Sequence, residues 1–484
     1  MSSSSTNPNR WPPQIKYIVG NEACERFSYY GMKSILAGYI TGEVVKGGLG
    51  QASDTATTII HTYGFAVYFL PLFVAWLSDK MIGRYNTILW VSLFYCLGHG
   101  VLACSDFATG VNGKMAFLFS GLSLIAFGSG GIKPCVSAFV GDQFRSDQSH
   151  LLQKAYGAFY WSINFGSFFS FLTIPWIKNH HGYSWAFAVP GVLMAMATFI
   201  FWLGTKHYVR VPPSRETKTA GFIKIFRYAL TVIVKELWFA LIGRKRGPRQ
   251  SFWGAASNRF TPQEIDAAKS VGPILSIFAL VPVFWALFDQ TNSTWVLQGL
   301  KMVPFQLFGL EIGAEQMQSA NPALVMILVP LLTLGIYPRL GRFASPLKRM
   351  SFGLFLTAAS YVIVAILQKQ IESGAHLSVA WQTLPYIVLT TAEVLVSTTG
   401  LEFAFTQAAP EMKSTIMSFW LLTVAFGNLL VTAVTKIFAG SGPGAHEASV
   451  STGRFLMYAG MTFVVAILFS IIAARYRYRN ETAV

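Results

Sequence analysis

Apolar stretches of about 20 residues recur along this chain. Their centres fall near Tyr29, Val67, Cys96, Phe127, Phe165, Leu193, Phe284, Val329, Leu356, Val394, Val424 and Val464. A helix rises about 1.5 Å per residue, so each stretch can cross a hydrocarbon core about 30 Å thick. Lipid offers no partner to backbone N–H and C=O groups, which restricts spanning structure to helices and closed barrels. Stretches of this length read as helices. Charged residues make up 12% of the chain, against about a quarter in a water-soluble chain. The expectation is an all-α membrane protein with twelve spans.

An even number of spans puts both termini on one side, and basic residues choose that side. Lys80 and Arg84 follow the second span, and Arg145 and Lys154 follow the fourth. Arg339, Arg342, Lys348 and Arg349 follow the eighth, and Arg475, Arg477 and Arg479 follow the last. These loops and both termini are therefore expected in the cytoplasm. The same bias accounts for the net charge of +16 without a nucleic-acid partner. The opening "MSSSSTNPNRWPPQ" lacks an apolar core and reads as a polar tail rather than a secretory signal. Cys24, Cys96, Cys104 and Cys135 lie in or beside apolar stretches without metal-site spacing, and read as packing residues.

The longest connection, residues 205 to 270, holds 13 basic and 4 acidic residues. It divides the chain into six spans (1–204), a linker (205–270) and six more spans (271–484). "IGRY" after the second span is echoed by "LGRF" after the eighth, as expected of repeated halves. Within the linker, "GFIKIFRYALTVIVKELWFALIG" (221 to 243) places Lys224, Arg227, Thr231 and Lys235 on one helical face. A basic face on an apolar helix is the mark of a helix lying in the membrane surface. A further span here would reverse every later loop.

The polar residues inside the spans carry the function. Glu22, Glu25, Arg26, Tyr29, Tyr30 and Lys33 share one face of the first span, an arc of roughly 140°. Each central charge costs roughly 2.5 to 3.5 kcal/mol in a bilayer, so such a stripe should face a polar cavity and find partners. Asp54, His61 and Tyr68 share a face of the second span, and His61 suits reversible protonation. In the fourth, the glycines of "FGSGGIKPC" read as close helix packing. Pro134 is expected to open the backbone there and aim Lys133 into the cavity. Tyr160, Asn164 and Ser167 share a face of the fifth. Trp285 and Asp289 lie one turn apart in the seventh, and Asn321 opens the eighth. Glu393 and Ser397 lie one turn apart in the tenth, and Trp420 lies in the eleventh.

Sorted by sign, the first half supplies Arg26 and Lys133 and the second supplies Asp289 and Glu393. A cavity between them would be cationic on one wall and acidic on the other. The matching ligand has a carboxylate at one end and an ammonium at the other, with a neutral polar middle, as a short peptide has. A carrier of nitrate or another small anion would need only the cations. A membrane-embedded enzyme would need a nucleophile–base pair or a metal cluster, and the spacing offers neither. No cofactor or metal is expected.

At these residues the chain resembles the proton-coupled oligopeptide transporters, the POT or PTR family of the major facilitator superfamily. "ExxERFxYY" (Glu22 to Tyr30), "FYxxINxGS" (Phe159 to Ser167), "FWALFDQ" (Phe284 to Gln290) and "AEVLVSTTGLEF" (Ala392 to Phe403) carry the resemblance. It implies two six-helix bundles that import di- and tripeptides with protons, as a monomer in a cell (inner) membrane. It further implies that Arg26 and Lys133 hold the peptide carboxyl end, and that Glu393, with Asn164 and Asn321, holds the amino end. Tyr29, Tyr30, Tyr68, Trp285 and Trp420 would line side-chain pockets, with Ser397 facing the substrate. Glu22, Glu25 and Glu393 would take part in proton coupling, and Lys33–Asp289 would bridge the outer gate. Many bacterial relatives carry arginine at Lys33 and an extra helical hairpin between the halves; the single apolar stretch in the linker predicts no hairpin here. "IIHTYGF" and "FDQ" are similar to the animal intestinal transporters, which adds His61 as a proton site coupled to Asp289.

Overall fold

The computed structural model describes residues 11–145, 148–213, 221–242, 251–341, 345–439 and 449–478. Most of the opening tail, Arg342 of the "LGRF" echo and Arg479 lie outside them. Six helices come first: α1 (Ile15–Thr41), α2 (Ser53–Leu77), α3 (Arg84–Ala103), α4 (Gly110–Asp142), α5 (Ser149–His181) and α6 (Tyr183–Leu203). A linker helix, α7 (Phe222–Leu241), follows. The seventh span is a pair, α8 (Pro262–Phe278) and α9 (Val281–Gly299), bent by 45°. Then come α10 (Gln316–Arg339), α11 (Pro346–Glu372), α12 (Val379–Gln407), α13 (Lys413–Ile437) and α14 (Thr452–Arg475).

Among the described residues, nine helices are long and apolar enough to cross a membrane, and the bent pair makes ten. The other two are α1, with 27 residues, and α5, with 33. Both have the length. They fall short in apolarity because they carry the polar stripes singled out above. The count of twelve spans in the major facilitator fold stands.

Within the first half, α1 packs on α5 and α6, and α3 packs on α4 and α6. Within the second, α11 packs on α12 and α14, and α9 on α13. The halves meet along α2 with α13 and along α5 with α10. Small residues set the closest approaches. A Cβ at Gly128 of α4 would stand 2.6 Å from the Tyr95 Cβ of α3, and one at Gly166 of α5 would stand 2.5 Å from the Ala23 carbonyl oxygen of α1. This supports the packing reading of the α4 glycines. The expected opening at Pro134 is not seen: α4 runs unbroken through it. The break falls instead in the seventh span, at Ala279 and Leu280, just before Pro282. The four cysteines are free, and none is exposed.

Helix α7 has three faces. Phe222, Ile225 and Ala229 are buried, with the Phe222 ring 5.9 Å from Phe419 of α13. Ile223, Leu230, Val234 and Leu237 form an exposed apolar stripe beside exposed Lys224, Arg227 and Lys235. An apolar stripe flanked by bases suits a helix lying in a membrane surface.

The sequence reading missed one element. Between α9 and α10 a small hairpin pairs Phe305–Leu307 with Leu310–Ile312. Its two-residue turn has φ 50° at Phe308 and 81° at Gly309, the positive values a tight primed turn requires. The hairpin marks the end of the bundle opposite the termini, called here the far end.

Candidate functional site

On α1, Glu22, Glu25 and Arg26 are all buried, at 3%, 0% and 5% exposure. Their helical spacing turns them to one side, and both carboxylates converge on one guanidinium. Arg26 Nε lies 3.0 Å from Glu22 Oε1 and is also ion-paired with Glu25. The Arg26 guanidinium stands 5.6 Å from the Tyr29 ring centre.

Lys133 of α4 reaches the same region. Its Nζ lies 4.2 Å from the Tyr29 ring centre and 4.4 Å from that of Tyr68, with no hydrogen-bond partner among the described residues. Two aromatic faces hold a cation without neutralising it. Lys133 Nζ is thus held by two ring faces, with no hydrogen bond to spend its N–H groups on among the described residues.

A second network crosses four helices. Lys33 Nζ of α1 lies 3.8 Å from Asp289 Oδ1 of α9. Asn428 Nδ2 of α13 donates to Asp289 Oδ2 at 2.6 Å. Having committed its amide N–H₂, Asn428 accepts at Oδ1 from His61 Nδ1 of α2, at 2.8 Å. Neutral His61 then accepts at Nε2 from the Ser293 hydroxyl, also at 2.8 Å. A lysine, a carboxylate and a histidine are thereby joined across both halves. Nearer the far end, Asp54 Oδ1 accepts from the Ser449 backbone N–H at 2.7 Å, which ties α2 to the chain before α14.

Between the halves lies a cavity with about 850 Å³ of atom-free space. Tyr30, Lys33, Tyr68, Tyr160, Asn164 and Ser167 line it from the first half, and Trp285, Asp289, Asn321 and Glu393 from the second. Glu393 Oε2 accepts from Asn321 Nδ2 at 2.6 Å, and Asn321 also donates to Thr390 Oγ1 at 3.2 Å. A π-helical turn, Val394–Thr398, starts right after Glu393; such turns recur at functional sites. Asn164 Nδ2 bonds the Tyr160 carbonyl at 3.0 Å, which leaves its side-chain oxygen for the cavity. Tyr160 of α5, which lines the cavity, is 39% exposed, and Tyr156, one turn nearer the terminal end, is 36% exposed.

The structure brings most of the expected residues together, but not all to the cavity wall. Arg26, Tyr29 and Lys133 lie outside the lining, with Lys133 shielded by Tyr68. Trp420 is buried behind Trp285, their rings 6.2 Å apart, with its edge on Gly400. Ser397 lies in the π turn, also outside the lining. Conversely, the sequence reading missed Asn428, Ser293, Gln318 and Tyr386. The last two line the cavity. None of the four carries a charge of its own, and their partners come from other helices, so periodicity along one helix gave no reason to single them out.

At the terminal end, Arg84 of the "IGRY" stretch donates to both Asp142 oxygens at 2.7 Å and lies 3.4 Å from Asp79. That cluster sits within the first half.

Comparisons with known proteins bear on the family and the fold. The profile of a family described as PTR2, POT family, matches residues 85–446. Peptide transporter family 1 of Drosophila melanogaster is 36% identical over 379 residues, 76% of this chain and 49% of that protein. Solute carrier family 15 member 2 of Rattus norvegicus is 34% identical over 409 residues, 81% of this chain and 54% of that protein. The chain thus spans about half the length of these curated relatives. Among solved structures, the POT family transporter PepTSo superposes with a TM-score of 0.83 at 38% identity, covering 96% of this chain and 99% of that one.

Proposed function

The chain belongs to the POT family, and from that premise we propose that it imports di- and tripeptides with protons by alternating access. The observation that carries this reading is the two-signed cavity shared by both halves. Glu393, oriented by Asn321, is available to a peptide ammonium on one wall. On the other, Lys33 lines the cavity, while Lys133 behind the Tyr68 ring and Arg26, paired with Glu22 and Glu25, would have to turn into it to meet the carboxylate. A small-anion carrier would have no use for Glu393 in that wall.

The proton chemistry follows from the α1 cluster. While Glu22 and Glu25 are both ionised, Arg26 is doubly countered and binds a carboxylate weakly. Protonating either acid leaves Arg26 with charge to spare for the peptide. When the proton leaves, the acid recaptures Arg26 and the peptide loses its partner. Proton and peptide binding therefore help each other, typically by about 1 to 3 kcal/mol. His61 supplies a second proton site. As a cation it must donate at Nε2 instead of accepting, so the Ser293 hydroxyl has to turn and the tie to Asp289 is reset. An inward-negative membrane voltage adds roughly 2.3 kcal/mol per charge for each 100 mV.

The two halves, 1–204 and 271–484, move about the cavity, with the linker 205–270 and its α7 on the cytoplasmic surface. Both termini are cytoplasmic and the membrane is the cell (inner) membrane. The protein works as a monomer, needs no cofactor and makes or breaks no covalent bond. With the far end closed by Lys33–Asp289 and Asp54–Ser449, this reading makes the present state inward-facing.

The test is uptake of labelled Ala-Ala into proteoliposomes, with and without an inward proton gradient, beside the same dipeptide with a blocked amino terminus. Accumulation should follow the gradient, and the blocked peptide should neither accumulate nor compete. Equal uptake of both peptides would remove Glu393 as the amino-end partner. Accumulation of nitrate in place of peptide would overturn the reading.

A further inference from the structure

At the terminal end, the start of α11 and the end of α14 leave a groove between them with about 1320 Å³ of atom-free space. Ser345, Lys348, Tyr476 and Tyr478 stand at its mouth. Deeper along the helices the walls turn apolar, with Phe352 and Phe355 on α11 and Ala473 and Ala474 on α14. The two alanines are small, so α14 does little to fill the space. Ser351 of α11 and Ser470 of α14 hydrogen-bond across the groove, and beyond them Phe355 meets Phe463, ring centres 5.6 Å apart. The Tyr476 and Tyr478 rings pack on Phe403 of α12, at 5.1 and 6.4 Å, which fixes the chain after α14 as one wall.

The mouth is cationic. Lys348 is exposed, and so are Arg475 and Arg477, which neighbour the lining tyrosines in the chain. Arg349 and Glu402, 2.9 Å apart, offset one another. Bases at the cytoplasmic end are ordinary in a membrane protein and need only face water. That reading leaves the groove beneath Lys348 unexplained. Lys348 and Phe355 are seven residues apart, about 10 Å along a helix, and one leaflet of hydrocarbon is about 15 Å deep. A phosphate at Lys348 would therefore set an acyl chain against Phe352 and Phe355. A soluble anion would leave the apolar walls uncovered, and a plain hydrocarbon would have no use for the bases. A zwitterionic lipid carries its own cation beside the phosphate and gains less from Lys348.

We propose that this groove binds one anionic phospholipid of the leaflet at the terminal end, with its phosphate at Lys348 and an acyl chain between Phe352 and Ala474. The peptide and proton roles given above make no use of these residues.

The test is native mass spectrometry of the full chain in detergent, titrated with phosphatidylglycerol, phosphatidylcholine or inorganic phosphate. The first phosphatidylglycerol should bind about fivefold or more tightly than the first phosphatidylcholine. Lys348→Gln should abolish that preference by weakening phosphatidylglycerol about fivefold. Lys436→Gln removes an exposed charge from the other end of α13 and should change nothing. Ala474→Phe, at an exposed position, puts a ring where the chain would lie and should weaken both lipids. If that variant does not fold, Phe352→Ala, 58% exposed in the parent, should weaken both likewise. Equal binding of the two lipids by the parent would overturn the site. Equal losses in Lys348→Gln and Lys436→Gln would do the same, by reducing the preference to overall charge. Full binding to Ala474→Phe would place the lipid elsewhere. Inorganic phosphate that displaces phosphatidylglycerol at similar concentration would make this a site for free anions and overturn the lipid.

Discussion

Asn428 links a carboxylate to a histidine, donating to Asp289 and accepting from His61. Asn428→Ala would leave a buried acceptor and a buried donor unpaired, each at a cost of about 1 to 3 kcal/mol. The loss falls on the closed far end, so the concentration dependence of uptake should show kcat/KM reduced about tenfold or more. Ser293→Ala removes one neutral bond to His61 and should cost only about threefold, near 0.7 kcal/mol. Equal effects of the two would mean that the bond to Asp289 contributes nothing. The sequence showed both ends of this link, His61 and Asp289, because charged and titratable residues stand out in apolar helices. It hid the middle, because an asparagine in "VAFGNLL" has no charged residue within a turn on its own helix. Its partners come from two other helices, which only the fold brings near. Lys133 shows the same limit. Its charge pointed to the cavity, while the Tyr29 and Tyr68 faces that shield it from the wall are a matter of tertiary packing.

Elements were legible in proportion to how local their cause is. Hydropathy over about 20 residues is local, so every predicted span centre falls inside a helix. The amphipathic linker helix followed from one-helix periodicity and lies at Phe222–Leu241. The 305–312 hairpin was not foreseen, because its turn residues Phe308 and Gly309 follow none of the common Asn-Gly or Asp-Gly patterns. Helix–helix distance is not local either, and glycines report it only through their neighbours. Gly166 of α5 faces the Ala23 carbonyl at 2.5 Å from a notional Cβ, whereas Gly157 of the same helix has nothing within 4 Å. Gly166→Ala should therefore push α5 off α1 and lower stability by about 1 to 3 kcal/mol. Gly157→Ala should leave stability unchanged or raise it by up to about 1 kcal/mol through helix propensity. Thermal melting of the two variants in detergent checks the contrast. Equal melting temperatures would mean that α1 and α5 do not touch at Gly166 as described.

At the scale of the molecule, the sequence specifies parts that every conformational state shares, and the structure shows one arrangement of them. Charges at the loops predict which side each end occupies. They do not predict which end is closed, because that depends on contacts between halves far apart in the chain, such as Lys33–Asp289 and Asp54–Ser449. The two kinds of information meet in a single prediction about direction. If the basic loops lie in the cytoplasm, the closed far end faces outward, and a cavity opening past Tyr156 and Tyr160 would deliver peptide inward. Val45→Cys at the far end should then react with a membrane-impermeant maleimide added to intact cells. Lys224→Cys on the exposed basic face of α7 should react only after the cells are opened. The reverse pattern would place the present cavity opening on the outside. The proton-driven cycle would then take up peptide through this state instead of releasing it, and the stronger contacts at the far end would guard the cytoplasm. Labelling of both positions in intact cells would instead contradict the five crossings, α2 to α6, between Val45 and α7, since an odd number puts the two on opposite faces.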